Sequence, residues 1–522
     1  MNAANPAITF LLLIPLFGTL LIPLCPARAS RGIALVLGWA MLGVGASLGL
    51  NFKPGHGMQF EQTVPWFKEP FPVTWHVGVD GMSVSLVLLT VIVTLTALYA
   101  SKFTSTTRDT NEPRPQLYYS MVMLLTASIL GTFVSLDLLQ FFVFWELELA
   151  PMYFLIAIWG GPRRSYAAMK FLLYTFFGGI FMLAGLLYLY FQLGANGIGA
   201  TFDIMQLQTL APALPRPIQA AAALGFVLAF IIKLPSFPFH TWLPDAHVEA
   251  PTPISMILAG LLLKMGSYGL VRIVLGFFPD VIADYGPWII ALGAFNVVWA
   301  AVACLVQTDM KRVIAFSSVS HMGFVLMGVG ALSAAALNGA IFQMVAHGFI
   351  SAALFFLVGV VYDRVHTRDI PEIGGGLAQQ MPETFYFWLL AALANLGLPA
   401  LAGFVAEVTV FYGAYTSPVA DAYPWARGWI IFAALGVVLS AGYMLWLVRR
   451  LFYGAENPRW GDHLVDMMPH ERFVGAVLSF FIIALGCYPL SLTHFYTDVS
   501  DNMAKQAASK LPTATNSANP SM

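Results

Sequence analysis

The chain has 522 residues, of which 59% are hydrophobic and 10% are charged, and its formal net charge is −1. Soluble domains carry roughly 25% charged residues, so the 25 Lys and Arg and 26 Asp and Glu are too few to cover a soluble protein of this length. This composition excludes a soluble enzyme, a nucleic-acid-binding protein and a disordered scaffold, and it indicates a chain surrounded mostly by lipid.

Fourteen apolar runs are long enough to cross a membrane, since a spanning helix needs about 20 mostly apolar residues. They lie near 8–24, 32–50, 82–100, 116–133, 138–159, 171–191, 219–240, 253–271, 288–306, 314–332, 336–362, 385–414, 429–448 and 474–492, and we number them spans 1 to 14. No Lys or Arg precedes span 1, which argues against a cleaved signal sequence. The predicted fold is an all-α polytopic membrane protein.

The basic residues predict the orientation of these spans, because Lys and Arg are enriched in cytoplasmic loops. Of the 25, 16 fall in odd-numbered loops and seven, including Arg272, fall in even-numbered loops or the C-terminal tail; Lys233 and Lys264 fall inside spans. We therefore expect a bacterial-type inner-membrane protein with both termini on the periplasmic side. The loop at 51–79 is predicted to be an ordered external hairpin or cap. The chain after Leu492 is predicted to be a polar tail that frays.

Two spans are interrupted by proline and glycine. Span 7 runs into Lys233–Pro253, which contains five prolines, and span 12 contains Gly397, Pro399 and Gly403. Irregular backbone at membrane depth is tolerated only where protein or water satisfies it. The breaks lie five spans apart, and because five is odd, they predict an inverted repeat of spans 4–8 and 9–13 with an ion path at each break. The corresponding division of the chain is 1–110, 111–278, 279–455 and 456–522.

Ionisable side chains inside spans cost about 2.5–3.5 kcal/mol each on insertion scales, so they are candidates for function. The candidates are Glu146 and Glu148 in span 5, Lys233 before the first break, Lys264 among leucines in span 8, His321 and His347 in spans 10 and 11, and Glu407 after the second break. Carboxylates, lysines and histidines in this combination are the composition of a proton relay. The alternatives are a Glu paired with a loop Arg, a snorkelling Lys and hydrogen-bonded core histidines.

Three further observations concern the surroundings of these candidates. Two residues along a helix turn the chain by about 200°, which places Glu146 and Glu148 on opposite faces, with Asp137 on the Glu148 face. A second polar group clusters in the first break: His240, Asp245, His247 and Glu249. Their spacing fits metal ligation poorly, so we expect no metal and assign them to proton uptake or to structure.

The cysteines and sequence motifs indicate no redox or nucleotide site in this chain. Cys25, Cys304 and Cys487 lie in or beside separate apolar runs, and the chain has no CxxC pair. It also has no Walker motif and no GxGxxG after a strand. We therefore expect no cofactor in this chain.

The first break resembles the signature of a known family. Lys233–His247 reads KLPSFPFHTWLPDAH, and Leu258–Gly269 reads LAGLLLKMGSYG. Together with Phe144-Trp-Glu146, Ser317–Gly323 and Gly403–Glu407, these segments are similar to the antiporter-like subunits. Those are the proton-conducting membrane subunits of respiratory complex I and their relatives in cation/proton antiporters and membrane-bound hydrogenases. The resemblance covers most of the chain.

Within this family the chain is most similar to the chain 4, or M, type of NADH-quinone oxidoreductase. The features are Glu407 where several sister subunits have Lys, the segment Pro151–Ala157 after Trp-Glu146, and a chain that stops soon after span 14. The resemblance implies an ion pair of Glu146 with Lys233 and a central relay at Lys264. It also implies His321 and His347 as the next links and Glu407 as the exit-side carboxylate; Glu148 has no assigned role.

The resemblance also implies partners and an activity. NADH oxidation and quinone reduction would take place in other subunits, which would hold FMN, Fe–S clusters and quinone, and this chain would translocate protons. Its partners would be the other membrane subunits of the complex, with antiporter-like neighbours on both sides, and lipid. Two alternatives remain open: a subunit of a Na⁺ (or K⁺)/H⁺ antiporter or of a membrane-bound hydrogenase, and a passive scaffold.

Overall fold

A computed structural model of the protein describes residues 6–67, 69, 71–101, 114–460 and 464–511, and the structural statements below refer to these residues. Its helices α1 to α23 are, in order, Ala7–Leu21, Ser30–Asn51, Gly81–Ala100, Pro115–Val134, Leu138–Leu147, Leu149–Trp159, Arg164–Ala195, Ile204–Leu210, Arg216–Lys233, Trp242–Glu249, Thr252–Ile257, Leu263–Gly269, Pro279–Leu305, Met310–Gly330, Ala334–Val365, Ile370–Ile373, Leu377–Gln380, Pro382–Asn395, Ala402–Tyr415, Pro418–Ala422, Trp425–Phe452, Pro469–Cys487 and Leu490–Ala508.

Within the described residues, 13 helical stretches are long and apolar enough to cross a membrane, and each matches one predicted span. Span 12 has no single counterpart because its break divides it into α18 and α19, which are 14 residues each. The predicted polytopic helical fold is confirmed. Predictions for Lys68, Lys102, Arg108 and the end of the tail at 512–522 lie outside the described residues.

The loop before α3 forms the predicted hairpin. Strand β1 (Gln59–Phe67) pairs antiparallel with β2 (Val73–Val79). Asp80 then caps α3: its carboxylate accepts the Ser83 N–H, and the Ser83 hydroxyl accepts the Asp80 N–H. Such caps satisfy helix-end groups that lipid cannot satisfy. The ordered hairpin is therefore confirmed, and its external location stays a prediction.

The centre of the bundle is formed by spans 8 and 11. The hydrophobic windows of Thr252–Leu275 and Ala334–Val365 are completely buried inside the protein. Helix α15 packs against α3, α14, α18, α19, α22 and α23, so it forms the axis of the molecule. Side chains on these two spans are therefore shielded from lipid by other helices.

Span 8 is not a uniform α-helix. It contains two π-helical turns, Leu258–Leu262 and Leu270–Leu275, on either side of α12. Such wide turns are rare and occur frequently at functional sites. The sequence of this span carries no proline or other local signal for them between Ile254 and Leu275.

Span 7 breaks between Lys233, where α9 ends, and Trp242, where α10 begins. The backbone groups freed by the break find partners in the protein. The Phe237 N–H donates to Asn296 Oδ1 on α13 at 2.9 Å, and Trp242 Nε1 donates to the Ile232 carbonyl at 2.9 Å. The break is thus satisfied by side chains, as irregular backbone at membrane depth requires.

The break in span 12 starts with the same backbone pattern as the break in span 7. At the end of each helix, one backbone N–H donates to the carbonyl of the residue four positions earlier. The backbone N–H two residues further along donates to the carbonyl of the residue five positions before it. These donors are Leu234 and Ser236 in span 7 and Leu396 and Leu398 in span 12. In span 12 the positive φ of this turn falls on Gly397.

A second feature also occurs twice. An isolated antiparallel bridge joins Asp137, at the start of span 5, to Asp203, in the segment before span 7; another joins Asp309, at the start of span 10, to Asp369, in the segment before span 12. Asp137 and Asp309 each cap the following helix by accepting two backbone N–H groups. The same local structure therefore precedes equivalent spans of the two predicted repeats.

Two predictions are wrong. The chain after Leu492 is not a polar tail at its start, because α23 extends to Ala508 and packs against α3, α13 and α15. Its buried residues, Leu492, Tyr496, Ser500 and Ala504, recur every four positions, which is the spacing of one helix face. Arg272 does not lie in a loop either, since it is buried inside span 8.

Candidate functional site

Lys233 at the end of α9 forms a completely buried ion pair with Glu148. The contact joins Lys233 Nζ to Glu148 Oε1, and the two side chains are 1% and 0% exposed. The rings of Trp145 and Phe171 lie 5.4 and 5.6 Å from the ammonium group. The glutamate without an assigned role is therefore in direct contact with Lys233, and the pairing of Lys233 with Glu146 stays a prediction.

Span 5 has one irregular residue at this position. Helix α5 ends at Leu147 and α6 starts at Leu149, with Glu148 at the junction. Pro151 lacks the N–H that would bond to the Leu147 carbonyl, so one helix hydrogen bond is missing here. Glu148 itself keeps helical angles of φ −68° and ψ −22°.

Glu146 points instead towards α7. Its carboxylate lies against Gly179, where an added Cβ would overlap Oε1. Glu146 Oε1 is buried and has no hydrogen-bond partner among the described residues. The side chain is nevertheless close enough to Lys233 for the two charges to interact.

Lys264 occupies the centre of the bundle and is completely buried. Its ammonium group donates to the Ala259 carbonyl at 2.6 Å, in the first π-helical turn, and contacts His347 Nδ1 at 2.7 Å. A lysine in this position needs polar partners because water is excluded. The span 8 lysine and the span 11 histidine thus form one connected pair.

From His347 the line continues to the second break. The rings of His347 and His321 have centroids 5.5 Å apart, and His321 Nδ1 lies 3.3 Å from Glu407 Oε1. All three side chains are at most 5% exposed. Lys264, His347, His321 and Glu407 therefore form a continuous series of titratable groups through four spans.

A narrow void lies beside the two histidines. It is lined by His321, Gln343, His347, Ile350, Ala394, Asn395 and Gly403. His347 Nε2, His321 Nε2 and Gln343 Oε1 are buried and lack hydrogen-bond partners among the described residues. Buried polar atoms are rarely left unpaired in native proteins. These unpaired atoms can therefore accept or donate a proton without first breaking a hydrogen bond.

The second break makes room for Glu407. A Cβ added at Gly397, which has φ +80°, would lie only 2.8 Å from Glu407 Oε2. Packing is equally close between the first break and α12. A Cβ added at Gly266 of α12 would lie 2.8 Å from the Leu234 nitrogen and 3.1 Å from Lys233 Cβ. Close packing of α12 on α9 thus brings the Lys233 and Lys264 segments together.

Two residues of the cluster in the first break hold the structure together. Asp245 of α10 bridges two spans through Lys170 Nζ at 2.7 Å and Arg312 Nη2 at 3.1 Å. Glu249 Oε2 accepts the Arg163 N–H at 2.9 Å. These contacts fit the structural alternative that we gave for this cluster.

The two histidines of this cluster differ from its carboxylates. His247 is completely buried, stacks on Phe355 at 4.2 Å, and has no hydrogen-bond partner for either ring nitrogen among the described residues. Its charged neighbours are Lys311 and Lys264. His240 Nδ1 is likewise unpaired within the described part of the chain. These rings are free to take part in proton uptake.

Asp137, in contrast, has a complete set of structural contacts. Its Oδ1 accepts the N–H groups of Leu139 and Gln140, and its Oδ2 accepts the N–H and hydroxyl of Thr74. It therefore fastens the hairpin to the start of α5.

Sequence reasoning missed a second buried ion pair. Arg272 Nη2 pairs with Asp80 Oδ2, and Arg272 Nε donates to the Tyr268 hydroxyl at 3.2 Å. Arg272 stands one residue beyond the predicted end of span 8, and no sequence signal connects it with Asp80. Within the described residues, no group of three His, Cys, Asp or Glu side chains could hold a metal ion.

The many apolar spans, the two broken ones and the buried line of titratable groups define a polytopic ion-translocating type of membrane protein. Residues 135–456 match the family described as "NADH:quinone oxidoreductase/Mrp antiporter, TM". The chain belongs to this family.

Individual relatives agree with this assignment. The chain is 41% identical to NAD(P)H-quinone oxidoreductase chain 4 2 of Thermosynechococcus vestitus, covering 98% of this chain and 94% of the relative. It is 42% identical to chain 4 1 of Synechococcus sp. strain JA-3-3Ab, covering 97% and 94%.

Two solved structures share the fold. A chain of respiratory complex I from Thermus thermophilus with bound NADH has a TM-score of 0.84 at 26% identity, covering 97% of this chain and 100% of that one. A chain of the Mrp complex from Dietzia sp. DQ12-45-1b has a TM-score of 0.82 at 19% identity, covering 98% and 99%. The second likeness concerns the fold alone.

Proposed function

We propose that this chain is the proton-translocating membrane subunit of an NADH:quinone oxidoreductase, of the chain 4 type. The observation that carries the proposal is the buried line Lys264–His347–His321–Glu407, with the Lys233–Glu148 pair on the neighbouring span. The chain 4 relatives and the family assignment support it. The chemistry of NADH and quinone belongs to partner subunits, which would hold FMN, Fe–S clusters and quinone.

The relay works through charge. The Lys233 ammonium is stabilised by a carboxylate at low dielectric, so loss of that anion makes the lysine release its proton more readily. A change of charge in a neighbouring subunit during quinone reduction would open the Lys233–Glu148 pair. The released proton would move to Lys264 and then through His347 and His321 to Glu407 and the periplasmic side.

The two glutamates of span 5 take different parts in this scheme. Glu148 is the resting partner of Lys233. Glu146 stands in the family motif after Trp145 and lies close enough to act on the same lysine. We propose that Lys233 exchanges between these two carboxylates as the charge of the neighbouring subunit changes.

Proton uptake would start from the first break. His247 lies between the charges of Lys311 and Lys264 and has unpaired ring nitrogens among the described residues. His240 lies deeper in the break, against Trp299 at 4.6 Å. These contacts support a cytoplasmic uptake route through the histidines, with Asp245 and Glu249 holding α10 in place.

The inverted repeat of spans 4–8 and 9–13 is part of the same proposal. The shared hydrogen-bond pattern of the two breaks and the paired bridges before spans 5, 7, 10 and 12 support it. The corresponding units are 111–278 and 279–455, flanked by 1–110 and 456–522. The orientation of the basic loops supports an inner-membrane location with periplasmic termini, and antiporter-like neighbours would lie on both sides.

The experiment is NADH-driven proton pumping in membranes that contain the whole complex. Lys233→Ala, Glu146→Gln and Glu148→Gln should each reduce pumping while the complex still assembles. Lys505→Ala on the exposed face of α23 is the matched control and should pump normally. Wild-type pumping in both the Lys233→Ala and Glu146→Gln variants would end the assignment. If Glu148→Gln alone pumps like the wild type, the proposed role of Glu148 is wrong and the rest of the proposal stands.

A cation/proton antiporter subunit is the alternative, because the family description covers both classes. The same residues would serve, with Na⁺ or K⁺ replacing one proton. Isolation of the native complex and identification of its partner chains distinguish the two. Flavin and Fe–S subunits indicate the oxidoreductase, and small antiporter subunits without them indicate the antiporter.

A further inference from the structure

An apolar cleft of about 610 Å³ lies between two groups of helices, and its lining includes Val345 and Phe349, which flank His347 on α15. Helices α2 and α3 form one wall, and α22 with the start of α23 forms the other. Its lining includes Trp39, Ala46, Leu88, Ile92, Val477 and Phe480. The cleft opens on the outer surface of the bundle, where α2 and α22 are mostly unburied spans that face lipid.

The length of the cleft is close to the thickness of one leaflet, and the cleft is centred on the middle of α3. On α3 the lining runs from Ser85 to Thr96, which is roughly 16 Å at 1.5 Å per residue. Half of a hydrocarbon core of about 30 Å is roughly 15 Å. A single acyl chain therefore has the reach to occupy it from end to end.

The walls of the cleft favour a hydrocarbon ligand over a polar one. The three hydroxyl side chains of the lining donate to carbonyls of their own helices: Ser85 to Gly81, Thr96 to Val93 and Ser491 to Tyr488, at 2.7 to 2.9 Å. The other lining residues are apolar. A quinone head group would find no free donor among these side chains.

A helix of a partner subunit is too large for this space. A helix about 10 Å wide that crosses a core of about 30 Å occupies roughly 2,400 Å³. The empty space of the cleft, about 1530 Å³ including its open side, is smaller than that volume. A partner helix could cover the cleft but could not fill it.

One end of the cleft carries a fixed positive charge. Trp39 Nε1 donates to the Tyr99 hydroxyl at 3.1 Å, and the Tyr99 ring packs on Phe473 at 4.8 Å. Arg31 Nη2 donates to the Tyr99 carbonyl at 3.1 Å. Aromatic residues followed by a cation are typical of the interface where lipid head groups lie. A phosphate is the anion that occurs at this depth.

We propose that this cleft binds one phospholipid, with one acyl chain between α2, α3 and α22 and the phosphate beside Arg31. The bound lipid fills a space that would otherwise weaken the attachment of α1 and α2 to the rest of the bundle. The lining of the cleft contains no residue of the relay, so a result that contradicts this proposal would leave the proposed function unchanged.

The test uses the purified whole complex in nanodiscs that contain phosphatidylglycerol with a diazirine at the end of one acyl chain. After illumination, the label should attach to peptides of α2, α3 and α22. Native mass spectrometry after detergent washing should find one retained phospholipid fewer in Ala46→Trp, which fills the cleft, than in the wild type. Ala40→Trp, on the exposed side of the same helix, is the matched control and should retain the lipid.

Arg31→Gln should weaken retention of the anionic lipid without blocking the cleft. Equal lipid retention in wild type and Ala46→Trp would overturn the proposal. Absence of label on these three helices in the wild type would overturn it as well, and that measurement holds even if the tryptophan variant fails to assemble. Retention of a quinone, or cross-linking of the cleft to a partner chain, would replace the phospholipid by that occupant and would also contradict the proposal.

Discussion

Lys233 and Glu148 are both buried from solvent, and neither charge would be stable there without the other. Breaking a buried pair by removing one partner typically costs 3–5 kcal/mol, because the remaining charge is uncompensated. Such a pair is a poor source of stability compared with apolar packing, but it is sensitive to any third charge nearby. This sensitivity is the property that a charge-driven relay needs.

The position of Glu146 can be tested without touching a titratable group. Gly179→Ala adds a methyl group that overlaps the Glu146 carboxylate, so this side chain must move away. We expect proton pumping to fall by roughly tenfold or more, since misplaced proton carriers lose much of their effect. Pumping by vesicles that contain the assembled complex is the measurement.

The neighbouring glycine provides the control. A Cβ at Gly178 would lie 3.4 Å from Ala229 Cα, an ordinary contact. Gly178→Ala should pump like the wild type, with helix stability raised by up to about 1 kcal/mol. Equal pumping by the two variants would show that the position of Glu146 has no effect on transport.

The titratable residues of the site could be found from the sequence, but their pairing could not. Charge inside an apolar run is expensive and therefore conspicuous, which identified Glu146, Lys233, Lys264 and Glu407. Which carboxylate contacts Lys233 directly depends on packing between helices, since Glu146 lies against Gly179 of α7. The pairing with Glu146 was implied by the family resemblance, which assigns no role to Glu148.

At the scale of elements, the break in span 12 holds Glu407 in place. Gly397→Ala places a methyl group at φ +80° and 2.8 Å from Glu407 Oε2. We expect a loss of roughly 1 kcal/mol or more of stability from the backbone alone, together with slower proton pumping. Thermal unfolding of the complex and vesicle pumping measure the two effects.

Gly428→Ala is the control for this change, since a Cβ at that position meets open space. Its pumping should equal that of the wild type. Its free energy of unfolding should change by no more than about 1 kcal/mol, which is the difference in helix propensity between glycine and alanine. Wild-type stability and pumping in Gly397→Ala would mean that the break does not depend on glycine at this position.

The hairpin before α3 should respond to pH. Burial lowers the pKa of His76, but the carboxylates of Asp203 and Glu61, each 3.0 Å from a ring nitrogen of His76, accept hydrogen bonds from it and raise the pKa above the ordinary 6.5. The stabilisation from charged His76 is therefore complete below pH 6.5 and is lost as the pH rises through the higher folded pKa. Hydrogen-exchange protection of residues 59–79 should fall over that range.

His76→Gln should remove this pH dependence, because glutamine does not titrate. Protection factors corrected for intrinsic exchange are compared between the two proteins at pH 6 and pH 9. A hairpin whose protection stays constant in the wild type would contradict the role of His76.

Hydropathy alone predicted most of the elements, since each span needs a long apolar run to be stable in lipid. The elements it missed are the ones that depend on contacts between helices. The π-helical turns of span 8 have no sequence signal, and α23 is too polar to stand out until its buried face is known. Span 12 was predicted as broken because proline and glycine are visible in the sequence.

For the whole molecule, the buried line of titratable groups distinguishes an ion-conducting subunit from a passive scaffold. The buried line passes through spans 8, 11, 10 and 12, and span 7 adds a switchable ion pair at its side. A scaffold needs none of these groups, because apolar residues of similar size would pack equally well or better. The presence of several desolvated titratable groups in contact therefore favours conduction.

The most direct measurement is NADH-driven proton pumping by the complex with Lys264→Ala, after native gels have verified assembly. Lys264 is the first group of the buried line and contacts His347 at 2.7 Å. We predict that pumping falls by roughly tenfold or more, while the surface control Lys505→Ala pumps normally. Wild-type pumping by a fully assembled Lys264→Ala complex would contradict the relay.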